Sequence, residues 1–260
     1  MRQAVLLDLD ETLIEEEAAA RDAYEATAEL ARARTDEDVN PGALVADVRA
    51  IARERWQRSP SSDYCTDIGI SSTEGLWCRF EGDEPRLRAL REWALGYRRD
   101  VWSTALHAQG LDDPPLAEAL ADRFALERRA RHRVFPDVFA TLSQLRASFA
   151  LGVVTNGARC LQHEKLDASG LRPFFDVVVV SGEFGTGKPH PSIFRHALAR
   201  LAALPARSAM CGDSLARDVD GARSAGVSAI WVNRLGRPRP AERADVVEVS
   251  TLAGACGLLM

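Results

Sequence analysis

Four consecutive apolar residues, Ala4 to Leu7, run directly into Asp8, Leu9 and Asp10. An apolar run without alternation predicts a strand buried on both faces, as in parallel sheets. The same signature returns four times. It ends at Thr155-Asn156-Gly157, at Ser181 after Val177 to Val180, at Gly212-Asp213-Ser214, and at Asn233-Arg234. Helical patterns lie between. Ala158 to Gly170 is one, stopped by its terminal glycine. Pro191 to Leu204 is another, with Pro191 and Ser192 at its start, and Ala216 to Gly226 is a third. Strands alternating with short helices predict βαβ crossovers, hence an α/β fold with a parallel sheet between helical layers. Working residues of such sheets collect beyond the carboxyl ends of the strands. Asp8, Thr155, Lys188 and Asp213 all fall at or just past those ends.

Residues 16–133 break this rhythm. They are rich in Ala, Arg, Glu and Leu and predict a helical insert after the first strand, with residues 1–15 and 134–260 forming the main domain around it. The stretch Arg58 to Gly75 predicts an irregular loop between helices, and specificity is sought there because loops carry function. Four of the five tryptophans (56, 77, 93 and 102) lie in the insert, and at helical spacing they predict core rather than a ligand pocket. The tail from Val246 to Met260 predicts a strand and a packed terminal helix.

Composition narrows the functional classes. The 260 residues are 46% hydrophobic and 27% charged, ordinary values for a soluble protein. A net charge of -5 gives no reason to expect nucleic acid or an anionic membrane as partner. No apolar run is long enough to span a bilayer, and acids follow the first strand where an export signal needs apolar residues, so a cytoplasmic location is expected. The five cysteines form no CxxC pair, which predicts reduced thiols. The five histidines show no metal-ligand spacing, and His190 is expected as a solvated loop residue. Of 33 basic residues only Lys165 and Lys188 are lysine. Arginine is the default cation here, so a retained lysine points to a site that accepts only a compact ammonium. Lys188 follows the glycine-rich "GEFGTG" and is expected to face an anion; Lys165 is expected on a helix surface.

Asp8 and Asp10 stand two apart and are expected to project to the same side, where they repel unless a cation or a transferable proton is involved. In this light "DLDET" at 8–12, "TNG" at 155–157, "KP" at 188–189 and "GDSLARD" at 212–218 resemble the four ordered motifs of the haloacid dehalogenase superfamily. The resemblance spans residues 4 to about 233, with the insert where that family keeps a helical cap of the C1 type. It implies a Rossmann-like parallel core with an inserted α-helical cap domain. Within the superfamily the chain is similar to the phosphatase branch that includes N-acylneuraminate-9-phosphatase-like and nucleotidase-like members. The implied activity is a Mg²⁺-dependent phosphatase acting on a small phosphorylated metabolite, with neither nucleic acid nor membrane as partner and a monomeric or homodimeric state.

Phosphoryl transfer needs a nucleophile, neutralised phosphate charge and a proton for the leaving oxygen. Asp8 is the candidate nucleophile, Asp10 the candidate general acid and base, and Lys188 the catalytic cation. Thr155, Asn156, Gly157 and Lys188 are candidates for phosphate binding, with backbone N–H groups expected from Asn156 and Gly157. Asp8 and Asp213, with the Asp10 backbone carbonyl, are the expected Mg²⁺ ligands. Asp218 either supports the metal shell or Lys188, or is a helix-start acid favoured by the macrodipole. Dehalogenases of this family lack an acid at the position of Asp10, so its presence favours a phosphate ester over a 2-haloacid. A phosphomutase and a non-catalytic binder of phosphorylated ligands are the remaining alternatives. Glu11 stands where small residues are commoner, and no role is expected of it.

Overall fold

Strand β1 (Arg2–Leu7) lies inside a six-stranded sheet in the computed structural model, which describes residues 2–260. The other strands are β2 (Ala150–Thr155), β3 (Val177–Val180), β4 (Ala203–Gly212), β5 (Ser228–Val232) and β6 (Val247–Val249). Their order is β3-β2-β1-β4-β5-β6, and every pairing is parallel. Leu7 is paired with Val153 on one side and Cys211 on the other, which brings Asp8 level with the ends of β2 and β4. The strand order turns back at β1, the position where open α/β sheets form a crevice.

Alternation along β1 divides the core. Ala4 and Leu6 pack with Ile193, Phe194 and Leu198 on one face, while Val5 and Leu7 pack with Val138, Leu142 and Leu252 on the other. Both faces are covered, which is why the strand reads as an unbroken apolar run. Truncating Leu6 or Leu7 to alanine here costs about 2–5 kcal/mol. The tail forms β6 and the helix Leu252–Leu259, matching its pattern.

Two connections differ from expectation. The glycine-rich approach to Lys188 begins as one helical turn, Ser181–Phe184, ended by Gly185 at φ 90°. The segment after β4 starts as a π-helical turn, Leu215–Asp220, before the α-helical turn Gly221–Ser224. Ser214 anchors that wide turn, its carbonyl accepting from both Asp218 and Val219 and its hydroxyl from Arg217.

Contacts divide the chain into two units, residues through Glu16 with Arg133–Met260, and Glu17–His132. Helices Glu16–Ala33, Pro41–Trp56, Ser62–Ile68, Ser72–Gly75, Pro85–Ala108 and Pro114–Arg129 build the insert. Asn40, Glu84 and Asp113 cap three of these helices, each accepting an N–H from three residues on, with proline at the helix start. The stretch Arg58 to Gly75 is not a plain loop. It holds two short helices, because Ser71 and Glu74 close a capping box and Gly69, at φ 79°, ends the preceding helix. Trp56, Trp77 and Trp102 are buried as expected, and half-buried Trp93 stacks on Tyr97 at 4.7 Å. The five cysteines are thiols rather than disulfides, and no helix of the described residues is long and apolar enough to cross a membrane.

Candidate active site

The backbone N–H of Asp8 donates to Cys211 O at 3.0 Å, extending the β1–β4 ladder by one residue and fixing where the Asp8 side chain starts. Lys188 Nζ lies 2.7 Å from Asp8 Oδ1 and 2.6 Å from Asp218 Oδ1. The lysine is buried and Asp218 wholly so. Asn156 holds the Lys188 backbone from both sides. Lys188 N–H donates to Asn156 Oδ1 at 2.7 Å, and Asn156 Nδ2 donates to Lys188 O at 2.9 Å. The second Asp218 oxygen accepts the Ser214 N–H at 2.9 Å. Asp218 thus contacts both the Lys188 ammonium and a backbone donor just ahead of its helical turn. Gly212 makes this approach possible, since a Cβ there would lie 2.3 Å from Asp218 Cγ and Oδ2.

Asp8, Asp213 and Asp218 each offer an oxygen, all within 4.8 Å of one another. Burial pushes the Asp8 carboxyl well above the usual range; Lys188 pulls it back, while Asp218 and Asp213 push it further up. Burial also raises Asp213, to about 6, with Asp218 adding and Lys188 and Arg237 opposing. For Lys188 burial acts downwards, but the adjacent Asp218 and Asp8 outweigh it and hold the ammonium above its ordinary value. Three carboxylates facing the Lys188 ammonium and the Arg237 guanidinium still leave an excess of negative charge. An oxygen-only donor set with that charge fits a hard divalent cation such as Mg²⁺. The Asp213 backbone carbonyl accepts from Trp231 Nε1 at 2.7 Å, and its Oδ2 from Arg237 Nη1 at 3.2 Å.

The Asp10 carboxylate finds a different set of partners. Lys165 Nζ lies 3.0 and 3.2 Å from its two oxygens, and Gln162 Nε2 donates to Oδ2 at 3.0 Å. Gln162 Nε2 also lies 2.6 Å from Thr155 Oγ1, and Lys165 lies 3.3 Å from Glu16 Oε2. Each of the chain's two lysines therefore serves one member of the Asp8/Asp10 pair. Lys165 does not sit on a helix surface; its side chain is fully buried. The helix Arg159–Ala168 buries Leu161, Gln162, Lys165 and Leu166. Two polar residues occupy a stripe whose spacing marks it as inward-facing, and that mismatch was the available signal for both Gln162 and Lys165.

The remaining expected residues divide. Thr155, the last residue of β2, is buried beside Gln162. Gly157 N–H donates to Ser181 Oγ at 2.9 Å, so this donor serves the turn rather than an incoming phosphate. Its φ of 144° explains the glycine instead, as does the Gln162 side chain 2.9 Å from where a Cβ would stand. His190 is exposed just ahead of the helix Pro191–Arg200, as expected, and caps it by accepting from Ser192 N–H at 3.3 Å. Glu11 sits at φ 57°, a left-handed position that small residues occupy more easily.

A model of the haloacid dehalogenase-like hydrolase family matches residues 3–226 of this chain. A phosphoserine phosphatase of Thermus thermophilus is 39% identical over 249 residues, 95% of each chain. The N-acylneuraminate-9-phosphatase of Mus musculus is 36% identical over 143 residues, 54% of this chain and 58% of that protein. Among solved structures, a 2-haloacid dehalogenase from Pseudomonas syringae superimposes with a TM-score of 0.61 at 27% identity, covering 100% of this chain and 98% of that one.

Proposed function

The chain belongs to the haloacid dehalogenase-like hydrolases, and from that premise we propose that it is a Mg²⁺-dependent phosphatase of small phosphate monoesters, working through an aspartyl phosphate on Asp8. The observation that carries this reading is the separation of the two acids. Asp8 stands against Lys188, while Asp10 is held apart by Lys165 and Gln162. That separation supports a reading in which one carboxylate attacks and the other handles a proton.

In this mechanism a carboxylate oxygen of Asp8 attacks phosphorus and the ester oxygen leaves with its electron pair. Asp10 gives that oxygen a proton, releasing the alcohol. Asp10, now a carboxylate, takes a proton from water as the water attacks the phosphorus of the aspartyl phosphate. Inorganic phosphate departs and Asp8 is restored. The Thr155 hydroxyl and the Lys188 ammonium bind phosphoryl oxygens, with Asn156 fixing the Lys188 backbone. Asp8, Asp213 and the Asp10 carbonyl would hold Mg²⁺ beside Asp218, and when bound the ion supplies positive charge to the phosphoryl oxygens. Residues 16–133 act as the substrate-selecting cap.

Similarity along 95% of its length to a phosphoserine phosphatase makes phosphoserine the first substrate to test. The dehalogenase of similar fold keeps a second reading in view. Asp10 argues against it, because halide departure needs no proton. We place the protein in the cytoplasm as a monomer or homodimer.

The test is phosphate release from phosphoserine, sugar phosphates, nucleotides, N-acylneuraminate 9-phosphate and p-nitrophenyl phosphate, each with Mg²⁺ and with EDTA. Magnesium-dependent release that Asp8→Asn abolishes, with the fold intact, is the expected result. Turnover retained by Asp8→Asn overturns the mechanism, and halide release from a 2-haloacid without Mg²⁺ overturns the reaction class.

A further inference from the structure

Lys165 and Gln162 take no direct part in the steps above, yet both are buried in a stripe where a packed helix keeps apolar side chains. Stability does not account for them. A buried ion pair is often replaced by apolar groups at no loss. Gln162 also carries a buried Oε1 without a hydrogen-bond partner, a cost that an apolar residue would avoid. What the two side chains do share is Asp10.

We infer that Lys165 and Gln162 are the positioning residues of Asp10, and that Gln162 links its orientation to that of the Thr155 hydroxyl. The inference rests on the proposed phosphatase role of Asp10. Lys165 reaches both carboxylate oxygens, at 3.0 and 3.2 Å, and Gln162 reaches Oδ2 at 3.0 Å. Three such contacts stop the carboxylate from turning about its Cβ–Cγ bond. The orientation of the Gln162 amide follows from its partner, since a carboxylate only accepts and must meet the NH₂ group. The second N–H of that group points at Thr155 Oγ1, 2.6 Å away. Thr155 oxygen therefore accepts from Gln162, which leaves its own hydroxyl proton to be donated. Its protein acceptor, Asn156 O, is at 3.5 Å, the far edge of a hydrogen bond. The hydroxyl is thus set to donate to a phosphoryl oxygen, and one helix face holds both the proton-handling acid and a phosphate donor.

Gln162 and Lys165 lie three apart on this helix and so project from one side of it. Glu16 Oε2, 3.3 Å from Lys165 Nζ, holds the ammonium from another direction. The carboxylate thereby keeps one placement for the leaving oxygen and for the attacking water. Misplacing a catalytic group by about 1 Å costs on the order of 100-fold in rate.

The test uses Lys165→Met and Gln162→Met in the full chain with Mg²⁺, followed by stopped flow. Nitrophenolate leaves without a proton, so phosphorylation of Asp8 by p-nitrophenyl phosphate bypasses Asp10, whereas water attack on the aspartyl phosphate does not. Expected is an initial nitrophenolate burst, at the wild-type rate in Lys165→Met and slowed by about threefold in Gln162→Met, which also releases the Thr155 hydroxyl, with a steady state slower by about 10- to 100-fold in both. With an alkyl phosphate, kcat falls similarly and the burst is absent. KM for the alkyl phosphate stays within about threefold, because both chemical steps slow together, whereas KM for p-nitrophenyl phosphate falls with kcat as dephosphorylation becomes limiting. Wild-type kinetics in both variants overturn the inference. So does a fall in burst rate and a rise in KM that track lost thermal stability, the mark of a merely structural role. Should Lys165→Met fail to fold, Gln162→Met decides alone, because it removes no charge. Wild-type protein that releases no phosphate overturns the phosphatase reading and this inference with it. Turnover in the wild type, its loss in Asp8→Asn and no effect of the two methionine variants overturn the positioning role only.

Discussion

Lys188 Nζ lies 2.6 Å from Asp218 Oδ1, and neither side chain reaches solvent to any extent. The same ammonium lies 2.7 Å from Asp8 Oδ1, so a buried carboxylate holds the lysine against the proposed nucleophile. A flexible four-carbon stem needs such a tie to place its charge within a few tenths of an ångström. Lys188→Met is expected to lower phosphate release by at least about 100- to 1,000-fold, the range for losing one charge-stabilising donor. Asp218→Asn keeps an acceptor for Ser214 N–H but removes the charge, and about a tenfold fall is expected. Steady-state assays on both variants check the order. Equal activity of Lys188→Met and wild type would remove Lys188 from the mechanism.

Gly212 sets how close Asp218 comes. A methyl group at this position meets Asp218 Cγ and Oδ2 at 2.3 Å, which forces Asp218 or the end of β4 to move. Gly212→Ala is therefore expected to reduce kcat by about 10- to 100-fold while the far-UV circular dichroism stays native. Activity within twofold of wild type would show that Asp218 tolerates displacement.

Stability should depend on pH in an unusual direction when divalent cations are absent. The Asp213 carboxyl is raised from 3.8 to about 6, and Asp8 is raised as well. A raised acid binds protons more readily folded than unfolded, so it opposes folding above its folded pKa and ceases to do so below the unfolded one. In EDTA, urea unfolding is expected to show stability rising by roughly 1–3 kcal/mol between pH 7 and pH 5. Added Mg²⁺ should flatten the rise, because the ion requires the charged carboxylates. A decline from pH 7 to 5 in EDTA would contradict the burial of this cluster.

Arg234 ties three parts of the first unit together. Its guanidinium donates to Thr12 O at 2.8 and 3.0 Å and to Asp137 Oδ1 at 2.8 Å, and lies over the Phe135 ring at 4.0 Å. Asp137 Oδ2 in turn accepts the Ala253 N–H at 3.0 Å, fixing the last helix. Arg234→Met leaves the Asp137 carboxylate and the Thr12 carbonyl without their partner, and a loss of about 3–5 kcal/mol is expected by chemical denaturation. A change below 1 kcal/mol would place the tie among the weak surface pairs.

Much of the α/β layout is legible in the sequence. Val177 to Val180 is a strand at the predicted bounds, because four consecutive β-branched residues suit a covered pleated surface. Asp8, Thr155 and Asp213 stand at or beside strand ends for the same reason, since parallel strands of equal register finish on one edge. The two short helices within Arg58 to Gly75 were harder to see. Their cues are a four-residue capping box and one glycine, too short for hydrophobic periodicity to register. Gly157 was misread because a backbone N–H next to a candidate phosphate site looks available until Ser181 is found against it.

The order of motifs and the local spacing determined the class of fold and which acids, hydroxyl and lysine meet at the strand ends. They could do so because period and strand polarity are properties of neighbouring residues. Which lysine meets which acid was decided only in three dimensions. Lys165 lies 155 positions from Asp10 and Lys188 lies 30 from Asp218, and burial removes the water that would otherwise screen both pairs. At such separations the chain itself expresses no preference. The partner of each charge is settled by the sheet that brings the segments together and by the cost of leaving any of them unpaired inside it.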